Sequence, residues 1–246
     1  MPLMLVPSIA IGLFTAKFKD QGYDVELFET THYLSDDVSS SEKRVELLNV
    51  RDFDIAEDLN IQVREDMYGD FRRRVEEFEP HLMVYSVVED VFLQTLNLMR
   101  QIESLNVPHL IGGVFPTYAP EKCIAQPEIN LVGHGEGENT VVRVAEAVRT
   151  GDRLDNISGT WYEDEGGVVH MNAKDPLVDM NATRPDFSLF DESRFMRPMG
   201  GRVFKMIPVE TYRGCPFACT YCNSPAQREY SKVEGLGNFL RRKRMD

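Results

Sequence analysis

The run HLMVYSVV at residues 81–88 is apolar almost throughout. A strand of that kind is buried on both faces, which happens in the interior of a parallel sheet covered by helices. Its neighbours fit that setting. EDMYGDFRRRVEEFEP (65–80) has helical spacing and stops at Pro80, and VFLQTLNLMRQIESLN (91–106) is a second amphipathic helix. The alternation extends both ways. Upstream lie a helix in IAIGLFTAKFKDQGY (9–23), ending at Gly22, and a short strand in DVELFET (24–30). Downstream come a strand in PHLIGGV (108–114), a short helix near PEKCIA (120–125), a strand in INLVGHG (129–135) and a helix in ENTVVRVAEAVRTG (138–151). Strands alternating with helices of this length predict a doubly wound, Rossmann-like parallel α/β unit over residues 1–150. Such folds begin on a strand, and only PLMLV (2–6) precedes the first helix. Either that stub is the strand or the true first strand is missing.

The pattern changes after residue 150. ISGTWYEDEGGVVHM (157–171) reads as two strands around a polar Glu-Gly-Gly turn. Residues 175–201 are rich in Pro, Asp and Met without a sustained period, so 151–205 reads as hairpin and linker. VFKMIPVETYR (203–213) then reads as a new strand running into a cysteine loop, and GLGNFLRRKRMD (235–246) as the helix after it. Residues 206–246 are thus a third segment.

That loop, ETYRGCPFACTYCNSPAQ (210–227), holds Cys215, Cys219 and Cys222, three of the chain's four cysteines. A structural zinc site usually takes four protein ligands, and no His follows this triplet. Three thiolates on one loop leave one iron of an iron–sulfur cube open to a small molecule, which chemistry needs and a structural site does not. Cys123, far upstream, reads as a small apolar core residue. No apolar run approaches the ~20 residues of a membrane span, and the start lacks a signal-peptide pattern. A cytoplasmic location is expected, where clustered thiols stay reduced and disulfides are rare. The formal net charge of -13 argues against nucleic acid as a partner, and the basic RRKR at 241–244 is explained by a helix dipole or by chance.

The loop resembles the radical S-adenosylmethionine superfamily, whose C-x-x-x-C-x-x-C signature matches Cys215, Cys219 and Cys222. The Gly-Cys-Pro opening and the aromatic before the last cysteine are frequent there. The resemblance implies a [4Fe-4S] cluster whose open iron holds S-adenosylmethionine, with Tyr221 against the adenine. It also implies reductive cleavage to a 5'-deoxyadenosyl radical, an electron donor of the flavodoxin or ferredoxin type, and a small-molecule substrate. The front unit resembles the cobalamin-binding domain that precedes the radical SAM barrel in one large subgroup of methyltransferases and cyclases. Gly112, Gly113, Pro116 and Thr117 match its Gly-Gly-x-x-Pro-Thr turn, and Gly135, Glu136, Gly137 and Glu138 its Gly-Glu-Gly-Glu turn. The loop at Ser86, Val87 and Val88 is expected to complete the cofactor face. None of the five histidines sits in the Asp-x-His-x-x-Gly pattern that supplies a lower cobalt ligand, so cobalamin would bind without that His. His134 reads as a hydrogen-bonding surface residue.

A β/α barrel of eight units takes about 250 residues. Residues 223–246 after the last cysteine therefore suit only the start of one, and the chain reads as the front part of a longer enzyme. Two other readings stay open: a cobalamin- or partner-binding module with an inert cysteine loop, and a small zinc-binding protein.

Overall fold

The structure is a computed structural model that describes residues 6–34, 57, 61–199 and 202–244. Three parallel strands, β1 (Met83–Ser86), β2 (His109–Gly112) and β3 (Leu131–Gly133), lie side by side in that order. All four β1 residues pair with β2, from Met83 opposite His109 to Ser86 opposite Gly112, so these strands end together. The predicted hairpin forms as β4 (Thr160–Glu163) and β5 (Val169–Met171). It joins the same sheet, with β4 antiparallel to β3 and β5 at the edge. The architecture is a mixed α/β fold on a five-stranded sheet.

The strands' period of two sorts the core into layers. Leu110 and Leu131 pack with Phe18 of α1 (Ile9–Asp20) and with Val141 and Val144 of α6 (Thr140–Thr150). Their sequence neighbours Ile111 and Val132 take the other face, packing with Leu96 and Met99 of α3 (Phe92–Gln101) and Cys123 of α5 (Pro120–Ile124). Helix α2 (Met67–Phe78) adds Met67, Phe71 and Val75 beyond α3. A five-residue helix, α4 (Val114–Tyr118), leaves β2 directly. Local sequence fixes the helix ends: the Asp66 carboxylate caps α2 through the Gly69 N–H at 2.8 Å, and Gly151 closes α6 at φ +72°.

Three expectations need correction. Residues 24–30 form no ladder. Burial alternates only over 24–26 and residues 27–30 are all half-buried, with Val25 against the α1–α6 side and Phe28 edge-on to Phe71 at 5.0 Å. However, an open cleft of about 830 Å³ separates them from β1, lined by Val25, Leu27, Met83 and Val84. The apolar residues are present, but 24–30 pair with no strand among the described residues. The PLMLV question falls on residues 2–6, of which only Val6 is described.

The strand expected over 203–213 is broken. Residues of β7 (Arg202–Lys205) pair back on β6 (Met196–Met199), a hairpin within the segment read as linker, and Pro208 follows without an N–H to continue a ladder. The strand that enters the cysteine loop is only β8 (Tyr212–Arg213), antiparallel to β9 (Arg241–Arg242). The helix after the loop is α7 (Ser224–Val233), starting with Pro225 in its first turn; Gly235 and Gly237, at φ +64° and +118°, end it, so 235–244 is not helical.

Candidate cofactor-binding site

The parallel pairing puts the ends of β1, β2 and β3 on one edge of the sheet, where open α/β sheets bind ligands. Ser86 closes β1 and is exposed; Gly112 and Gly113 follow from β2; Gly135, Glu136 and Gly137 follow β3. Thr117 joins the last two turns, its hydroxyl accepting from the Gly135 N–H at 3.1 Å. Around the edge, Val88, Val91, Val114 and Tyr118 are exposed to solvent, an apolar border of the kind that marks a ligand site.

The glycines of the two turns do different work. An added Cβ at Gly112 would meet nothing nearer than 3.8 Å, so this strand end leaves room for a flat group against the backbone. Gly113 holds φ +112° and ψ -167°, and its Cβ would sit 2.6 Å from both the N and the O of Val87. It is required by the crossing of its own backbone over the turn after β1. At Gly137 a Cβ would press on Phe14 of α1 at 2.9 Å, so this glycine faces helix packing. Ser86, Gly112, Thr117 and Gly135 therefore remain as the part of the edge open to a cofactor.

Glu136 and Glu138 are largely buried and engaged by arginines. Arg213 gives Glu138 Oε1 a 2.7 Å hydrogen bond from Nη1, lies 3.3 Å from Glu136, and grips Glu210 in a fork at 3.0 and 2.8 Å. Arg241 pairs with both oxygens of Glu136, one at 2.9 Å, and also donates to the Val178 carbonyl at 2.6 Å. Burial pushes the Glu136 carboxyl up, but Arg241 and Arg213 outweigh it and hold the group below its ordinary value. Arg213 stays protonated throughout: burial acts against its charge and Glu210, Glu138 and Glu136 more than compensate. The basic stretch at 241–244, put down above to a helix dipole or to chance, begins in strand β9 and contributes a part-buried arginine to this ion cluster.

The cysteine loop hangs from this ion cluster. Gly214, at φ +90°, passes so close to the Phe239 backbone that a Cβ there would overlap its carbonyl, which explains a glycine before Cys215. On the far side Arg228 of α7 donates to the carbonyls of Pro216 at 2.7 Å and Cys215 at 3.4 Å. Cys215 is half-buried, Cys219 and Cys222 are exposed, and all three are free thiols. Cys222 Sγ accepts from the Ser224 N–H at 3.4 Å at the start of α7. Among the described residues no three His, Cys, Asp or Glu side chains are drawn together as a metal site. The donor chemistry nevertheless fits an iron–sulfur cluster: three thiols on one staked loop, with no disulfide competing for them. Tyr221 is 90% exposed beside them. Tyr118, the last residue of α4, has its hydroxyl pushed up by burial and further by Cys222.

Two residues are settled outside this site. Cys123 is fully buried in the core, its thiol pushed up to about 11 by burial and by Glu121. His134 is no surface residue. It is buried edge-on to Trp161, bonds through Nε2 to the Asn172 carbonyl at 3.1 Å, and is pushed down to about 4, mainly by burial.

Residues 4–145 match the B12 binding domain family. The anaerobic magnesium-protoporphyrin IX monomethyl ester cyclase of Synechocystis is 27% identical over 129 residues, 52% of this chain and 25% of that protein. An uncharacterised methyltransferase of Pyrococcus horikoshii is 27% identical over 179 residues, 70% of this chain and 36% of its own length. The chain thus spans about a quarter to a third of these relatives. Among solved structures, the radical S-adenosylmethionine methyltransferase TsrM of Kitasatospora setae, with cobalamin and a [4Fe-4S] cluster bound, shares the fold. Its TM-score is 0.56 at 17% identity, over 89% of this chain and 39% of TsrM.

Proposed function

Because this chain belongs to the family of B12-binding domains, we propose that it is the cofactor-holding front part of a cobalamin-dependent radical S-adenosylmethionine enzyme of the methyltransferase or cyclase kind. One observation carries the reading: a C-x-x-x-C-x-x-C loop is fastened, through Arg213 to Glu138 at 2.7 Å, to the turn after β3 that borders the cofactor edge. A binding module with an inert loop has no need of that attachment.

When bound, the cluster, S-adenosylmethionine and cobalamin supply the electron-transfer and group-transfer chemistry; the protein's residues hold and orient them. Cys215, Cys219 and Cys222 would provide the three thiolate ligands, with Cys222 Sγ also accepting from the Ser224 N–H. Tyr221 offers a flat face for the adenine. Ser86, Gly112, Thr117 and Gly135 receive the corrin, and the exposed Val88, Val114 and Tyr118 cover its rim. The exposed loop leaves an approach for a flavodoxin- or ferredoxin-type donor. A small-molecule substrate and a cytoplasmic setting complete the proposal; among the described residues no helix is long and apolar enough to cross a membrane. Residues 1–150, 151–205 and 206–246 are proposed as cobalamin unit, hairpin with linker, and start of the β/α barrel, the hairpin being structurally an extension of the first sheet.

Anaerobic reconstitution with iron and sulfide tests this reading. The expected product is brown, with about four iron atoms per chain. Cys215→Ala, Cys219→Ala and Cys222→Ala each lose the colour and Cys123→Ala keeps it. Zinc bound in place of iron, or colour retained in the triple variant, would overturn the assignment.

A further inference from the structure

In the β8–β9 ladder Arg213 and Arg241 are direct partners. Like charges placed opposite each other destabilise an antiparallel pair, and a two-residue ladder has little else to hold it. The pair is tolerable because Glu136 reaches both guanidinium groups, at 3.3 Å from Arg213 and 2.9 Å from Arg241. Glu138 and Glu210 complete the charge balance on Arg213. Arg241 has a second tie: Val178, whose carbonyl it takes, gives its own N–H to Glu136 Oε2 at 2.8 Å. Glu138 is 7% exposed, so this is an interior contact rather than a surface pair. Removing one partner of such a pair leaves an uncompensated buried charge, which costs far more than breaking a surface salt bridge.

We propose that Glu136 and Glu138 are positioning residues: by clamping Arg213 and Arg241 they fix the cysteine loop against the carboxyl edge of the sheet, and with it the separation between cluster and corrin. The significance for the cofactors rests on the function proposed above, whereas the clamp itself belongs to the protein alone. Both carboxylates lie in the turn after β3, one residue either side of Gly137, and both arginines belong to the short ladder leading into and back from the loop. A displacement of the turn by a ligand on the edge is therefore transmitted to the loop without passing through the core.

The test compares Glu136→Gln, Glu138→Gln and Arg213→Lys with the parent chain. Gln keeps the shape and removes the charge; Lys keeps the charge and removes the fork. Amide hydrogen exchange on the metal-free chain is expected to rise at least about tenfold in residues 210–222 and 238–242 for each variant, while β1, β2 and β3 keep their protection. Unchanged exchange in the loop for all three variants would overturn the proposal. Loss of protection in the sheet of a Gln variant would mean unfolding, and Arg213→Lys, altered outside the sheet, then decides. The second arm is electron paramagnetic resonance of chain loaded with cob(II)alamin and reduced cluster. Weakened magnetic coupling is expected in the variants with both cofactors still bound; equal coupling in parent and variants would overturn the positioning role. If the parent loads neither cofactor, the functional reading fails and the exchange arm still judges the clamp.

Discussion

Gly112 and Gly113 are adjacent, yet methyl groups at the two positions have opposite expected effects. In Gly113→Ala the backbone stays at φ +112° and ψ -167°, a region open essentially to glycine alone, for a strain of about 1–3 kcal/mol. The new Cβ also lies 2.6 Å from the Val87 N and O. Those two atoms hold the turn together through Val87 N–H to Gly112 O at 2.8 Å and Phe115 N–H to Val87 O at 3.3 Å. Relieving the overlap sacrifices both bonds, at about 1 kcal/mol each. The expected loss is about 3–5 kcal/mol, a large part of the 5–15 kcal/mol typical of a domain. In Gly112→Ala the nearest atoms are at 3.8 and 3.9 Å, so stability should stay within about 1 kcal/mol of the parent. The methyl would instead intrude on the corrin and weaken cobalamin at least about tenfold, some 1.4 kcal/mol. Urea unfolding measures the first quantity and a cobalamin absorbance titration the second. A Gly112→Ala chain that binds cobalamin like the parent would refute the placement of the corrin on this strand end. A Gly113→Ala chain of parental stability would refute the packing argument.

Further outcomes follow from other parts of the structure. Gly137→Ala, pressing on Phe14 at 2.9 Å, is expected to cost about 1–3 kcal/mol by overpacking α1, with cobalamin affinity unchanged in the folded fraction. His109 and His134 are both pushed down by burial, to about 4 from 6.5. The unfolded chain therefore takes up their protons first, and stability is lost as pH falls from 6.5 toward 4. At pH 5 the loss is about 2 kcal/mol per histidine. His134→Gln should flatten the fall in melting temperature between pH 8 and 5 by the His134 share, about 2 kcal/mol at pH 5, and an unchanged slope would show that His134 protonates freely in the folded state.

The sequence was most legible where burial was symmetrical. PHLIGGV and INLVGHG announced β2 and β3 because core side chains cover both faces, whereas HLMVYSVV, read as an interior strand, forms β1 at the end of the described sheet with no residue fully buried; the helices followed from the apolar spacing between them. DVELFET was misleading since alternation reports which side chains are buried and says nothing of whether a neighbouring strand is within hydrogen-bonding distance. The region after residue 195 was misread for a related reason. Its strands are short and exposed, β7 on all four residues, so no periodicity marks them, and the decisive signals were Pro208, Gly235 and Gly237. The triplet Cys215, Cys219 and Cys222 was plain in the sequence because its chemistry depends on spacing along the chain. The clamp was not, because it joins Glu136 and Glu138 to Arg213 and Arg241 across 75 or more positions. Its one available signal was charge in unexpected company: two carboxylates inside a glycine turn, and an arginine directly before Gly214.

The account stands on two cofactors meeting at one edge of one sheet, and anomalous scattering at the iron and cobalt edges, from crystals of the reconstituted, cobalamin-loaded chain, tests that directly. The expected maps place iron at Cys215, Cys219 and Cys222, and cobalt over the carboxyl ends of β1, β2 and β3 beside Gly112 and Gly135, on the side facing the loop. Cobalt at any other face of the sheet, or iron away from the three cysteines, would contradict it.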